Sequence, residues 1–269
     1  MSDALFLCDQ DRYIPTNRSL GPWSLEYLHG GPVVGLMAHA MQNALGPTDL
    51  RLARLTVDLL RPVPQQPLTV ATRTIRPGRR LQLLEARLLA DDTEVSHASA
   101  LYLEQALVDV PSRGRFQGNG LQPPVDETAN SLSEASGWGS RYTPEGFHTT
   151  AQAVVLDGVQ GDGYGCVWMR LPLPLVHGAQ TSPSVMAATL CDFGNGVGQL
   201  NLGRNRGCIN ADVTLYLHRP PIGKWLGLEA HSHMETNGMG LVETTLFDAQ
   251  GPIGRVLQGT IATSMPGRR

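Results

Sequence analysis

Charge and aromatic residues are sparse in this chain: 17% of its 269 residues are charged and 6% aromatic. No stretch approaches the roughly 20 apolar residues that a membrane-spanning helix needs. The N-terminus carries Asp3, Asp9 and Asp11 where a secretory signal would be basic and then apolar, so no export signal is expected. Net charge is only −3 and the Lys and Arg residues are scattered, which argues against nucleic acid or an anionic membrane as partner. Cys8, Cys166, Cys191 and Cys208 are dispersed, without the paired spacing of a zinc site. Their expected role is as small buried hydrophobes in a reducing cytoplasm. A G-x-S-x-G elbow is absent, so a serine nucleophile is not expected, and neither is a metal or cofactor.

What is present, twice, is a strand. Residues 55–62 read Leu-Thr-Val-Asp-Leu-Leu-Arg-Pro, and residues 213–220 read Val-Thr-Leu-Tyr-Leu-His-Arg-Pro. Apolar residues alternate in both, the period of a half-buried strand. Each strand then meets Arg-Pro, where proline withdraws a backbone donor from the ladder. The offset of 158 positions continues downstream without a gap, placing Leu68 on Leu226, Glu85 on Glu243 and Val95 on Ile253. Three strands in one register imply a duplicated domain. The expected organisation is a first repeat over 1–103, a connection over 104–150 and a second repeat over 151–269.

In the first repeat, His29-Gly30-Gly31-Pro32 precedes helical spacing of apolar residues from Val33 to Leu45, stopped by Gly46-Pro47. Strands follow at 53–61, 67–76, 81–90 and 94–103. Glycine, proline and serine then break the pattern, and the long connection is expected to cross the surface between repeats. The second repeat has strands at 151–157 and 165–171, then Ser182-Pro183 opening a helix over 184–193 with Gly194 as its stop. Four more strands are expected at 210–219, 225–234, 239–248 and 253–263. One apolar helix with an antiparallel meander is an α+β layer, and two such half-sheets can join edge to edge.

The copies disagree in one direction. Asp192, Asn210 and Gln258 align with Met41, Leu52 and Ala100. Each has an ordinary explanation alone: a solvated helix end, a turn before a strand, an exposed strand position. Together they point to a site in the second repeat. Asp192 is placed in the last turn of its own helix, where the dipole disfavours a carboxylate and raises its pKa.

The helix preceded by His-Gly-Gly, the wrapped sheet and the tandem duplication resemble the double hotdog proteins. The stretch from Asn210-Ala211-Asp212 to His218-Arg219-Pro220, with Val256-Leu257-Gln258, is similar to the second repeat of acyl-CoA thioesterase II-type enzymes. That resemblance implies hydrolysis of acyl-CoA to fatty acid and CoA, and a place in fatty acid metabolism. It also implies a water held by an Asp, a Thr or similar polar residue, and a Gln. Asp192 and Gln258 match, and Asn210 stands where the Thr would be. Asp192 is then the base, with Asn210 and Gln258 holding the water or the carbonyl oxygen. Gly30 and Gly31 permit close backbone approach and an oxyanion site at the helix start, or simply make a tight turn. His29 is either a substrate contact or a structural residue.

A non-catalytic acyl-CoA-binding protein is the competing expectation, and a hydratase or dehydratase a more distant one. Asp92 and His97 have hydratase-like spacing, but Asp92 falls in a hairpin turn. His231 and His233 share a strand face without a further zinc ligand, so surface histidines are expected. Arg61 and Arg219 recur in both copies, which favours a structural role over contact with CoA phosphates. A homo-oligomer is compatible with the fused repeats.

Overall fold

The computed structural model describes residues 3–118, 120–124, 129–135, 145–203 and 206–264. The first repeat runs β1 (Phe6–Asp9), β2 (Arg12–Pro15), α1 (Gly30–Leu45), β3 (Leu50–Asp58), β4 (Leu68–Arg76), β5 (Leu81–Ala90) and β6 (Thr93–Glu104). Next along the chain come β7 (Asn130–Ser131), α2 (Leu132–Ala135) and α3 (Phe147–Thr150), with β7 paired to the strand that follows α3. The second repeat continues with β8 (Gln152–Gly158), β9 (Tyr164–Arg170), α4 (Pro183–Leu190), α5 (Gly194–Val197), β10 (Arg206–Asn210) and β11 (Asp212–Leu217). It ends with β12 (Leu226–Met234), β13 (Met239–Asp248) and β14 (Gly251–Ser264).

All the strands join one sheet, in the order β1-β2-β4-β5-β6-β3-β11-β14-β13-β12-β9-β8-β7, with β10 also on β14. The twin strands meet at its centre. β3 and β11 pair antiparallel with Val57 opposite Val213 and Leu55 opposite Leu215. Thr56 faces its own copy, Thr214, whose hydroxyl donates across at 3.3 Å. The pairing therefore runs through a pseudo-two-fold axis, and the two half-sheets become one without an exposed edge between them.

Each half-sheet wraps a helix. α1 is buried without interruption from Gly31 to Met41, as expected of a helix enclosed by sheet rather than one lying on a surface. α4 packs against it, close enough that β-carbons on Gly31 and Gly35 would clash with the Thr189 carbonyl and hydroxyl. Val34, Leu36, Met37 and Met41 from α1 join Val185, Leu190, Leu55, Leu84, Leu215 and Leu228 in a shared core. A smaller cluster of Trp168, Trp225 and Phe247 is covered by Leu121 and Ala129 of the connection. Phe116 stacks on His218 with ring centroids 3.7 Å apart.

Two expectations about local structure need correction. Gly194 does not stop its helix: α4 ends at Leu190, a 3-10 turn covers Cys191–Phe193, and Gly194 opens α5 in ordinary right-handed geometry. Asn210 does not begin a long strand. It closes β10, and the chain breaks at Ala211 before β11, where the Asp212 carboxylate accepts the Gly259 N–H at 2.7 Å. Both corrections place Asp192 and Asn210 at breaks between regular elements.

Candidate active site

The six residues singled out in the sequence come together at the start of α1. His29 is its N-cap, with extended backbone and a ring Nδ1 that accepts the Gly31 N–H at 3.0 Å. The same Nδ1 stands 3.0 Å from Asp192 Oδ2. It serves as acceptor to Gly31 in one tautomer and as donor to Asp192 in another. His29 is thus both the cap of α1 and a partner of Asp192.

Asp192 leaves the turn after α4 and reaches across the repeat boundary to the first turn of α1. Only 5% of it is exposed. Asn210 Nδ2 donates to its Oδ1 at 2.7 Å. Gln258 Nε2 donates to its main-chain oxygen at 3.3 Å and to Oδ1 at 3.4 Å. A β-carbon on Gly30 would stand 2.7 Å from Asp192 Oδ2, so only glycine admits the carboxylate there.

The expected rise in the Asp192 pKa is not found. Burial pushes the carboxyl up, but His29, through its hydrogen bond and charge, the Asn210 amide and the Gly31 N–H together outweigh it. The group is held below the ordinary carboxylate range. The carboxylate does follow its own helix in sequence, but in space it faces the positive end of the other repeat's helix.

Both amide nitrogens must point at the carboxylate, since a carboxylate only accepts. That orientation leaves the amide oxygens outward: Asn210 Oδ1 and Gln258 Oε1 are buried and without a hydrogen-bond partner among the described residues. Buried acceptors of this kind are costly unless something donates to them.

A cavity of about 1070 Å³ opens onto this group. His29, Gly30, Asp192 and Asn210 line it; Gln258 does not, being fully buried behind Asp192. Val33, Leu59, Val63, Phe193, Leu200 and Ile209 supply apolar wall. Sequence reasoning missed the aromatic packing that fixes His29. Phe147 and Phe193 lie 5.3 and 4.7 Å from its ring centroid and 4.9 Å from each other. It also missed His148 on the cavity wall. The available signal was Gly146-Phe147-His148, an aromatic pair at the end of a stretch otherwise rich in polar residues and glycine.

The equivalent position at the start of α4 holds no carboxylate. There Ser182 caps the helix and donates to Gln42 of α1 at 2.6 Å, a neutral contact in place of the Asp192 cluster. The asymmetry between the copies is therefore present in space as well as in sequence. Among the described residues no group of His, Cys, Asp and Glu could hold a metal, and no helix is long and apolar enough to cross a membrane.

Residues 20–103 match the model of the acyl-CoA thioesterase N-terminal domain, and residues 116–262 match that of the C-terminal domain. The chain belongs to the acyl-CoA thioesterase family. It is a thioester hydrolase by that membership, and its two domains form a double hotdog. Solved structures agree on the fold. A conserved hot dog protein of unknown function from Alicyclobacillus acidocaldarius superposes with a TM-score of 0.72 at 14% identity, covering 97% of each chain. The acyl-CoA thioesterase II TesB2 of Mycobacterium marinum gives 0.65 at 14% identity, over 97% of this chain and 96% of that one. The dehydratase domain of the curacin polyketide synthase CurJ module gives 0.51 at 11%, over 87% and 83%. At such identities the likeness concerns fold alone. No curated protein matches the sequence.

Proposed function

We propose that this thioesterase acts on acyl-CoA, using a water held between Asp192 and Asn210. The observation that carries this reading is the buried carboxylate at the cavity floor, beside the unpartnered Asn210 oxygen. A water has two hydrogens to give, and these two acceptors suit it. The water oxygen attacks the thioester carbon as Asp192 takes its proton. The C–S bond then breaks, and the proton passes to the departing sulfur.

A carboxylate held below its ordinary range is anionic throughout the neutral range but a weak base. An acyl tail that displaces water from the cavity strengthens it by removing competing solvation. The carbonyl oxygen is assigned to first-turn amides of α1, above all the Gly30 N–H, which has no intrahelical acceptor. Asn210 takes over the water-holding role expected of it jointly with Gln258. Gln258 positions Asp192 from behind: its amide N–H groups are spent on that residue, and its side chain does not reach the cavity.

Thiol release from a panel of acyl-CoAs, measured for wild type and Asp192→Asn, tests this. Turnover by wild type and a loss of roughly 10³-fold in the variant is the expected result. Tight binding without turnover by wild type would sink hydrolysis. Equal turnover by both proteins would keep the enzyme and remove Asp192 from its centre.

A further inference from the structure

The twin arginines that close the duplicated strands have parted company. Arg219 is spent on structure. Its guanidinium forms a two-pronged pair with Asp248, at 2.5 and 2.7 Å, and also donates to the Gly251 carbonyl at 3.1 Å. Asp248 is fully buried and also accepts the Ile222 and Gln250 N–H groups, so the whole assembly ties the β13–β14 hairpin to the end of β11. At the same offset, the position of Asp248 in the first repeat is Ala90. The clasp has no acid there.

Arg61 kept its place without that partner. Its backbone N–H still bonds the Val95 carbonyl at 3.1 Å, so the strand bend survives. Its side chain is exposed and makes no ion pair among the described residues. Arg61 lines the same cavity as Asp192, and so does Arg206 at the start of β10. Among the described residues the only carboxylate on that wall is Asp192 itself, which is buried at the floor. The rim also carries Trp23 and Tyr27, 47% and 42% exposed, whose flat faces suit a nucleotide base. A planar guanidinium free of carboxylates, at the mouth of a cavity whose floor is anionic, is built for an anion that stays outside.

We propose that Arg61, released from the structural role its copy Arg219 retains, anchors the phosphates of the CoA nucleotide while the thioester reaches Asp192. This rests on the acyl-CoA reading above and adds the residue that distinguishes CoA from a shorter thiol carrier. The sequence pattern alone, an Arg-Pro in both copies, favoured a shared structural role; Ala90 in place of the acid separates them.

Calorimetric binding of CoA, dephospho-CoA and pantetheine to wild type and Arg61→Gln tests the proposal without requiring turnover. Wild type should bind CoA more tightly than pantetheine. Arg61→Gln should weaken CoA roughly tenfold, the scale of one charged hydrogen bond, with pantetheine moved less than about twofold. Dephospho-CoA locates the contact: a variant effect that persists with it assigns Arg61 to the diphosphate, and one that vanishes assigns it to the 3′-phosphate. The CoA effect should shrink at high salt. CoA affinity unchanged in the variant, or an equal loss for CoA and pantetheine, overturns the proposal. Hydrolysis of an acyl-pantetheine by the same wild-type preparation separates the two claims. Turnover there, with CoA binding indifferent to Arg61, removes this anchor and leaves the thioesterase mechanism standing.

Discussion

The carboxylate of Asp192 lies so close over Gly30 that a β-carbon there would be 2.7 Å from its Oδ2. Gly30 belongs to the first repeat and Asp192 to the second, so this cluster forms only where the two halves meet. Gly30→Ala should therefore displace the carboxylate by a few tenths of an ångström to an ångström while leaving the helix intact. Misplacement on that scale costs on the order of 10²-fold in rate. Steady-state thiol release with a single acyl-CoA, alongside circular dichroism, measures it. Full activity in Gly30→Ala would mean that the carboxylate position does not limit the reaction.

Asn210 donates to Asp192 at 2.7 Å, and its replacement by Asp sets two carboxylates at that distance. Like charges so close cannot both ionise cheaply, so the pair shares a proton and its second ionisation lies above the ordinary carboxylate range. The pH profile of kcat/KM for Asn210→Asp should gain an acid limb displaced upward from that of wild type. An unchanged profile would show that this contact is not made at the reacting group.

Asp192 also enters the acid stability of the fold. Its folded pKa lies below the unfolded value of about 3.9, so its charge stabilises the protein in full above that value. The contribution is lost as pH falls below roughly 4 and through the folded pKa. Urea unfolding at stepped pH should show wild type losing stability relative to Asp192→Asn across that acid window. Asp248, held low against burial by Arg219 and the Ile222 and Gln250 amides, is common to both proteins and cancels. A difference that does not change below about pH 4 would mean that the fold does not hold the Asp192 pKa below the ordinary range.

The divergence of the twin arginines predicts unequal stability effects. Arg219→Gln leaves Asp248 buried without its counter-ion, at a cost of about 3 kcal/mol, the lower end for a broken buried pair because two amide donors remain. In a chain of this size that lowers Tm by roughly 6–10 °C. Arg61→Gln, with no such partner, should change Tm by no more than about 1–2 °C. Differential scanning fluorimetry of the two variants is enough; equal losses would mean that Arg61 is structural after all.

The duplication, the single buried helix of each repeat and most strand positions were legible in the order of residues. Period two, period 3.6 and the punctuation of Pro and Gly are local properties, and a half-buried strand such as Leu55–Val57 announces its inward face without its partner. Asp192, Asn210 and Gln258 were visible too, because a duplicated fold supplies its own reference: a polar residue opposite Met41, Leu52 or Ala100 needs a reason.

Pairing and electrostatics were decided in three dimensions. Nothing local says that Thr56 must face Thr214, since a strand's period specifies its buried side and not its neighbour. Read along the chain, Asp192 sits after its own helix, where a carboxylate is disfavoured. In the folded protein the N-terminus of α1, His29 and Asn210 surround it and reverse the sign of its pKa shift. Gln258 is drawn behind the carboxylate and away from the cavity, and Phe147 arrives from the connection to hold His29 in place. Coulomb energies and desolvation depend on distances between residues far apart in sequence. The chain order thus selected which residues could form a site, and packing of the two repeats set their placement and electrostatic surroundings.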